Sequence, residues 1–275
     1  MSWYAVRVAV PVEGARQPVL AALVAAGASA VQEGERELVT HLSGDADFDA
    51  LERAVRAAGG AAVDRTLLAD ADWSAASTAR VGVQRLGRVT VAPPWLEHEA
   101  AGAECVVLIE PAMAFGTGEH ETTRGVLTLM QDVIAPGQSV ADLGAGSAVL
   151  AIAAVKLGAR RAVAIEIDTD AIGNADENIA RNGVAERVTL IRGDAAVLLP
   201  LIAPVDVIVA NIISSVIAEI SPAMRRALAP GGRAIVSGIL VEERDALVEA
   251  LTRDGWTIGR ELVEGTWWSS VISAR

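Results

Sequence analysis

Three separated stretches of this 275-residue chain carry residue types that could bind a nucleotide and orient an amine. In the first, VADLGAGSA at residues 140–148, an apolar run meets Asp142 and then Gly144 and Gly146. Glycine reaches backbone angles closed to other residues and lets a bulky ligand approach the main chain. Ser147 is the expected N-cap of a following helix whose apolar stripe is Val149, Leu150, Ile152, Ala153 and Leu157. Such a helix would point its N-terminus at the ligand. The second stretch is AIEID, in which Glu166 stands 22 residues after Gly144. That is about where a carboxylate at the end of a second strand meets ribose hydroxyls. These two stretches suit a nicotinamide dinucleotide as well as other adenosyl cofactors. In the third, Asn211-Ile212 follows the apolar run VDVIVA, at the carboxyl edge where open α/β sheets bind ligands.

Asn211 and the Ile212 carbonyl form the candidate catalytic pair. A nucleophilic amine must present its lone pair in line with the group it attacks, but a lysine amine, with a reference pKa of about 10.4, is ordinarily protonated. A neighbouring carboxylate would favour the ammonium form, whereas an amide oxygen and a backbone carbonyl orient the neutral amine without holding its proton so strongly. No dedicated carboxylate base is expected, and the proton leaves to solvent.

The elements that must position these residues follow from periodicity. Residues 3–10 alternate as a strand, 18–26 form a helix, and short strands at 30–33 and 37–41 flank a turn at Gly34 and Glu35. A helix capped by Asp47, with Phe48, Leu51, Val55 and Ala58 on one face, ends at Gly59-Gly60 before a strand at 62–68. The order β-α-β-β-α-β predicts a ferredoxin-like domain over residues 1–68. Residues 69–102, with Pro93-Pro94 and scattered glycines, read as a linker. From 103 to 275, strands near 139–143, 161–165, 187–191, 205–210 and 232–237 alternate with helical segments, preceded by a strand at 105–109. This predicts an α/β Rossmann-like parallel sheet covered on both faces, closed by two mutually antiparallel strands at 256–263 and 266–273.

Composition narrows the partners. The chain is 52% apolar, yet no apolar run is long enough to cross a bilayer, and the N-terminus does not resemble a secretion signal, so a cytoplasmic protein is expected. With one cysteine, Cys105, no internal disulfide forms, and His41, His98 and His120 lie too far apart for metal-ligand spacing, so no metal is expected. A net charge of −12 and 3% aromatic residues argue against nucleic acid as a direct partner. The sequence does not fix the oligomeric state, for which a monomer is the expectation.

The most specific string is PAMAFGTGEHETTR at residues 111–124. Gly116 and Gly118 permit close backbone approach, Phe115 could lie against a cationic sulfonium, and Thr122 and Thr123 offer hydroxyls at a helix start. Asp142 before the glycine turn stands in the order of class I S-adenosylmethionine methyltransferases. With DLGAGSAVLAIAA, Glu166, VIVANII, the VAPPW segment at 91–95 and SGIL at 237–240, the loop makes the chain closely resemble the PrmA family, bacterial methyltransferases of a large-subunit ribosomal protein, protein eleven. The resemblance covers nearly the whole chain. It implies an enzyme that uses S-adenosyl-L-methionine to methylate lysine amines, and in some members the N-terminal amine, of that ribosomal protein. It also implies that the small N-terminal domain recognises the substrate and that the linker lets it be repositioned.

Family cofactor contacts fall on Thr123, Gly144, Glu166 and Asn211, while Phe115, Gly116 and Thr117 would line the cofactor and amine site. The candidate cofactor set is thus these residues with Asp142 and Gly146. The chain departs from the usual family pattern at Ala148, where glycine is common, at Glu166, where aspartate is common, and at Ile213-Ser214-Ser215. Three alternatives remain open at this point: a related enzyme acting on another protein, a non-catalytic S-adenosylmethionine-binding module, and a nicotinamide dehydrogenase.

Overall fold

The computed structural model describes residues 3–10, 13–28, 31–33, 37–44, 46–61, 63–68, 81–112 and 115–275. They fall into two compact units, Met1–Ala79 and Arg80–Arg275. The turn expected at Gly34-Glu35 and the first part of the expected linker, 69–80, lie outside the described residues.

In the first unit, β1 (Trp3–Ala9), α1 (Arg16–Ala25), β2 (Val31–Glu33), β3 (Glu37–Ser43), α2 (Phe48–Ala57) and β4 (Val63–Leu68) follow in the predicted sequence. The sheet order is β2-β3-β1-β4 with every pairing antiparallel. Alternation places Val6 and Val8 of β1 and Leu38 and Leu42 of β3 against Val19 and Leu23 of α1 and Leu51 and Val55 of α2. Asp47 caps α2 by accepting from the Ala50 N–H at 2.9 Å.

The second unit begins earlier than the sequence suggests, which corrects the linker reading. Residues 81–102, assigned above to a linker, contain β5 (Gln84–Leu86), β6 (Val89–Ala92) and a 3-10 turn at Pro94–Ala100. With β7 (Cys105–Leu108) they form a three-stranded sheet, β5-β6-β7, in which β6 and β7 run parallel. Val89, Val91 and Ala92 are essentially unexposed, so this short sheet belongs to the core of the unit. β5 and β6 are only three and four residues long, and β6 pairs non-locally with β7, which leaves little periodicity to read.

The main sheet comprises β8 (Ser139–Leu143), β9 (Arg161–Glu166), β10 (Val188–Arg192), β11 (Val205–Asn211), β12 (Leu228–Leu240), β13 (Trp256–Glu264) and β14 (Trp267–Ala274). Its order is β10-β9-β8-β11-β12-β14-β13. Pairings from β10 through β12 are parallel, and β14 is antiparallel to both its neighbours. The helices are α3 (Glu121–Val133), α4 (Val149–Lys156), α5 (Thr169–Arg181), α6 (Ala195–Ile202), α7 (Ser214–Ala227) and α8 (Arg244–Arg253). One apolar cluster joins residues of α3, α4 and α5 to the sheet, and a second joins α6, α7 and α8 to its other face. Every residue of β8 is accordingly buried. The chain leaves β8 toward β9 and β10 and then returns to pair β11 on the opposite side of β8. That reversal opens a crevice at the carboxyl ends of β8 and β11.

Candidate active site

A cavity of about 650 Å³ occupies this crevice, within the range of about 300–1,000 Å³ usual for small-molecule sites. Its wall brings together Phe115, Gly144, Gly146, Glu166, Asn211 and Ile212, six of the residues singled out in the sequence. Gly144 has φ +71°, and a Cβ there would stand 2.5 Å from Ile212 Cγ2. Gly146 has φ +52°, and its Cβ would stand 2.5 Å from the Phe115 carbonyl oxygen. Both angle and space therefore demand glycine.

The helix after this turn starts one residue later than expected. Ala148, not Ser147, occupies the N-cap position of α4, in a left-handed conformation with φ 64° and ψ 17° and no side-chain cap. Ser147 instead ties the turn to the 115–118 loop: its N–H donates to the Phe115 carbonyl at 2.9 Å and its hydroxyl to the Gly116 carbonyl at 2.8 Å. The hydroxyl expected to cap a helix is committed to a neighbouring loop.

At the end of β9 the Glu166 carboxylate turns back on the main chain. It accepts from Gly146 N–H at 2.7 Å, Ile167 N–H at 2.7 Å and Asp168 N–H at 2.8 Å. A carboxylate has about four lone-pair sites, so three such bonds leave roughly one for a hydroxyl donor in the cavity. The same bonds tie the glycine turn to the start of α5.

Across the crevice, Asn211 ends β11. Its Nδ2 donates to Thr123 Oγ1 at 3.3 Å, fixing the amide's orientation, and its Oδ1 is shielded from water without a hydrogen-bond partner among the described residues. A buried acceptor left unmade costs about 1–3 kcal/mol, which a bound donor would recover. Ile212 lies beside it, with its N–H donated to the Ser237 carbonyl at 3.1 Å. Gly238 (φ +85°) backs the Ile212 carbonyl so closely that a Cβ there would stand 2.6 Å from its oxygen.

The remaining sequence candidates stand behind the cavity. Thr123 is fully buried on the first turn of α3 and reaches the wall only through Asn211. Gly116 is buried against Ser147, and neither it nor Thr117 is part of the wall. Asp142 is fully buried: Oδ2 accepts from the Ala151 N–H of α4 at 2.9 Å, while Oδ1 has no partner among the described residues. Burial pushes its carboxyl up to about 7; the Ala151 N–H pulls the other way, and the charge of Glu166 adds to the rise.

Sequence reasoning missed Ile167, Asp168 and residues 193–196, which also line the wall. Their signal was positional: Asp168 and Asp194 directly follow parallel strands and cap α5 and α6, accepting from Asp170 N–H at 2.9 Å and Ala196 N–H at 2.8 Å. It also missed His120, which caps α3 and stacks edge-on between Phe115 and Trp267, with ring centroids 5.1 and 5.0 Å away. Among the described residues no cluster of His, Cys, Asp and Glu could hold a metal, and no helix is long and apolar enough to cross a membrane.

Comparison with known proteins adds to this geometry. Residues 3–275 match the family described as ribosomal protein L11 methyltransferase (PrmA). The chain is 39% identical over 205 residues to the ribosomal protein L11 methyltransferase of Symbiobacterium thermophilum, a match covering 74% of this chain and 66% of that protein. It is 41% identical over 198 residues to the protein of the same name from Thermus thermophilus, covering 72% and 76%. Among solved structures, the ribosomal protein L11 methylase of Lactobacillus delbrueckii subsp. bulgaricus superposes with a TM-score of 0.64 at 29% identity, covering 70% of this chain and 99% of that one. A parallel sheet with its crevice at the carboxyl ends of β8 and β11, and a sequence match along almost its whole length, place this chain in the ribosomal protein L11 methyltransferase family.

Proposed function

We propose that the protein transfers methyl groups from S-adenosyl-L-methionine to lysine side-chain amines, and to an N-terminal amine, of the large-subunit ribosomal protein L11. The observation that carries this reading is the buried, unpartnered Oδ1 of Asn211 at the cavity wall. A neutral amine N–H is the donor it lacks. The names and sequences of the relatives support the substrate class.

The residues present fit the donor. Glu166 keeps a lone pair for a ribose hydroxyl, and Gly144 and Gly146 leave the main chain open to a ligand. Phe115, half-exposed at the wall, offers a π-face to a sulfonium. Asp142, Gly116 and Thr123 would act from behind the wall, holding these groups, and Thr117 follows Gly116 in the same loop. When bound, S-adenosyl-L-methionine supplies an electrophilic methyl group on a cationic sulfur. Asn211 accepts from the amine, Thr123 fixes which way the amide faces, and the Ile212 carbonyl supplies a second acceptor. Neither acceptor holds a proton strongly, so the amine stays nucleophilic and its proton passes to solvent. In this reading the first unit recognises the protein substrate, because every residue of the cavity wall belongs to the second unit.

The test is incubation of the purified chain with ribosomal protein L11 and isotopically labelled donor, followed by mass spectrometry of the product. Label on lysine or N-terminal amines supports the reading; transfer to another protein alone moves the substrate assignment. Cofactor binding without transfer to any protein identifies a binding module.

A further inference from the structure

β7 is an edge strand of its small sheet, and the chain continues from it directly into the loop bearing Phe115. Alternate residues face alternate sides of a strand. Cys105 N–H and Ile109 N–H donate toward Arg88 and Ala92 on the β6 side. Leu108 and Glu110 face the other way, where an unpaired strand edge would be left open.

Lys156 Nζ donates to the Val106 carbonyl at 2.6 Å, and three asparagines close the edge beyond it. Asn174 and Asn178 of α5, with Asn182 just past its end, are spaced four residues apart and so share one helix face. Asn182 accepts from Leu108 N–H at 2.9 Å and donates to Leu108 carbonyl oxygen at 2.6 Å, making with one side chain both bonds a neighbouring strand would make. Asn178 Oδ1 accepts from Glu110 N–H at 2.9 Å, and Asn174 Nδ2 donates to Glu110 carbonyl oxygen at 3.1 Å. Arg181 braces the pair, donating to Asn178 Oδ1 at 2.9 Å and pairing with the Glu110 carboxylate at 3.4 Å. The zipper continues inward: Asn178, fully buried, donates to the Ser147 carbonyl at 3.3 Å, and Ser147 in turn holds the Phe115 and Gly116 carbonyls.

The opposite end of the same helix touches the cavity, since Asp168 and Ala171 belong to its wall and Glu166 is bonded to the Asp168 N–H. One rigid element therefore meets the expected cofactor at its start and holds the base of the Phe115 loop along its flank. We infer that Asn174, Asn178 and Asn182 are positioning residues for methyl transfer, setting where residues 115–118 stand relative to the cofactor held by Glu166. The inference rests on the proposed function for its catalytic readout, but its structural readout does not.

The experiment compares the full-length parent with Asn182→Ala and Asn174→Ala, neither of which lines the cavity. Amide hydrogen exchange is measured at residues 115–118 and, as a control, along β8 and α4. Cofactor affinity is measured by calorimetry, and the turnover number with saturating ribosomal protein L11. The expected result is exchange at 115–118 at least about tenfold faster with the control unchanged, and turnover lower by about tenfold with cofactor affinity within about threefold of the parent. Asn174→Ala keeps the Leu108 pair, so it tests the idea should Asn182→Ala fail to fold. Unchanged exchange at 115–118 in a folded variant overturns the inference, as does a loss of turnover that only follows a parallel loss of cofactor affinity. If the parent itself transfers nothing to the ribosomal protein, the proposed function fails, and the exchange arm still decides whether the asparagines hold the loop.

Discussion

Asp142→Asn offers a direct test of how β8 is built beneath the glycine turn. The carboxyl is fully buried, with one oxygen bonded to the Ala151 N–H and the other unpartnered among the described residues, and burial raises its pKa from 3.8 to about 7. An acid raised on folding binds its proton more tightly in the folded than in the unfolded chain. Stability from this group is therefore greatest at low pH, falls as pH rises from about 4 to about 7, and is level above that. Each unit of that interval is worth about 1.4 kcal/mol, so ionising Asp142 costs the folded state on the order of 4 kcal/mol at pH 8. Asparagine keeps an acceptor for Ala151 and removes the titration, but strands an amide N–H at a cost of about 1–3 kcal/mol. That cost does not depend on pH, and a difference between two pH values cancels it. Measured by urea unfolding at pH 5 and pH 8, the variant's stability relative to the parent should improve by roughly 2.5 kcal/mol on going to the higher pH. Tryptophan fluorescence reports on this unit because Trp256 and Trp268 are fully buried in it. Parallel stability profiles for parent and variant across that range would refute the argument that burial, rather than a hidden partner, controls this carboxyl.

Three further outcomes follow from the site. Asn211→Ala should lower the turnover number roughly a hundredfold with the melting temperature close to the parent's, because it removes an oriented acceptor without disturbing the strand; unchanged turnover in a transfer assay removes the mechanism. Glu166→Ala should weaken cofactor binding about ten- to a hundredfold by calorimetry and also lower the melting temperature, since three main-chain N–H groups lose their acceptor. Affinity lost with no change in melting temperature would contradict the second role. For Ala148, substitution by glycine relieves a left-handed angle worth about 1–2 kcal/mol but gives up a buried methyl and adds backbone freedom, together of similar size. Chemical denaturation should thus find Ala148→Gly within about 1 kcal/mol of the parent and Ala148→Val clearly less stable, and a well-tolerated valine would show that the backbone is not held in that conformation.

The parts of the site legible in the sequence are those whose chemistry restricts residue type. Gly144 and Gly146 have to be glycine because both the backbone angle and the neighbouring atoms exclude a side chain. Glu166 and Asn211 were visible because they follow apolar strands at a carboxyl edge, where any polar group is conspicuous. The exchange of roles between Ser147 and Ala148 was not visible, since alanine gives no sign of a left-handed angle and a serine before a helix ordinarily caps it. The small β5-β6-β7 sheet was read as linker because strands of three or four residues carry too little pattern, and β6 finds its parallel partner only beyond the Pro94–Ala100 turn. Asp142 was placed in the cofactor set on its motif, whereas burial puts it under the turn, against α4. The asparagine spacing of α5 lies open in the sequence, but its partners are main-chain groups 64 to 74 residues away, which no local pattern announces.

The pairing of α5 with the β7 edge also sets its own length. Four residues of helix rise about 6.0 Å and two residues of strand about 6.6 Å, so each successive rung falls about half an ångström further out of step. Hydrogen bonds tolerate a spread of only about 0.5 Å in length, and a helix face can therefore follow a strand for two rungs or so before the mismatch breaks contact. Here the rungs are Leu108 and Glu110. Geometry stops the zipper at that point, so the loop beyond Glu110 hangs from two separate holds, the asparagines at its root and Ser147 at the Phe115 and Gly116 carbonyls.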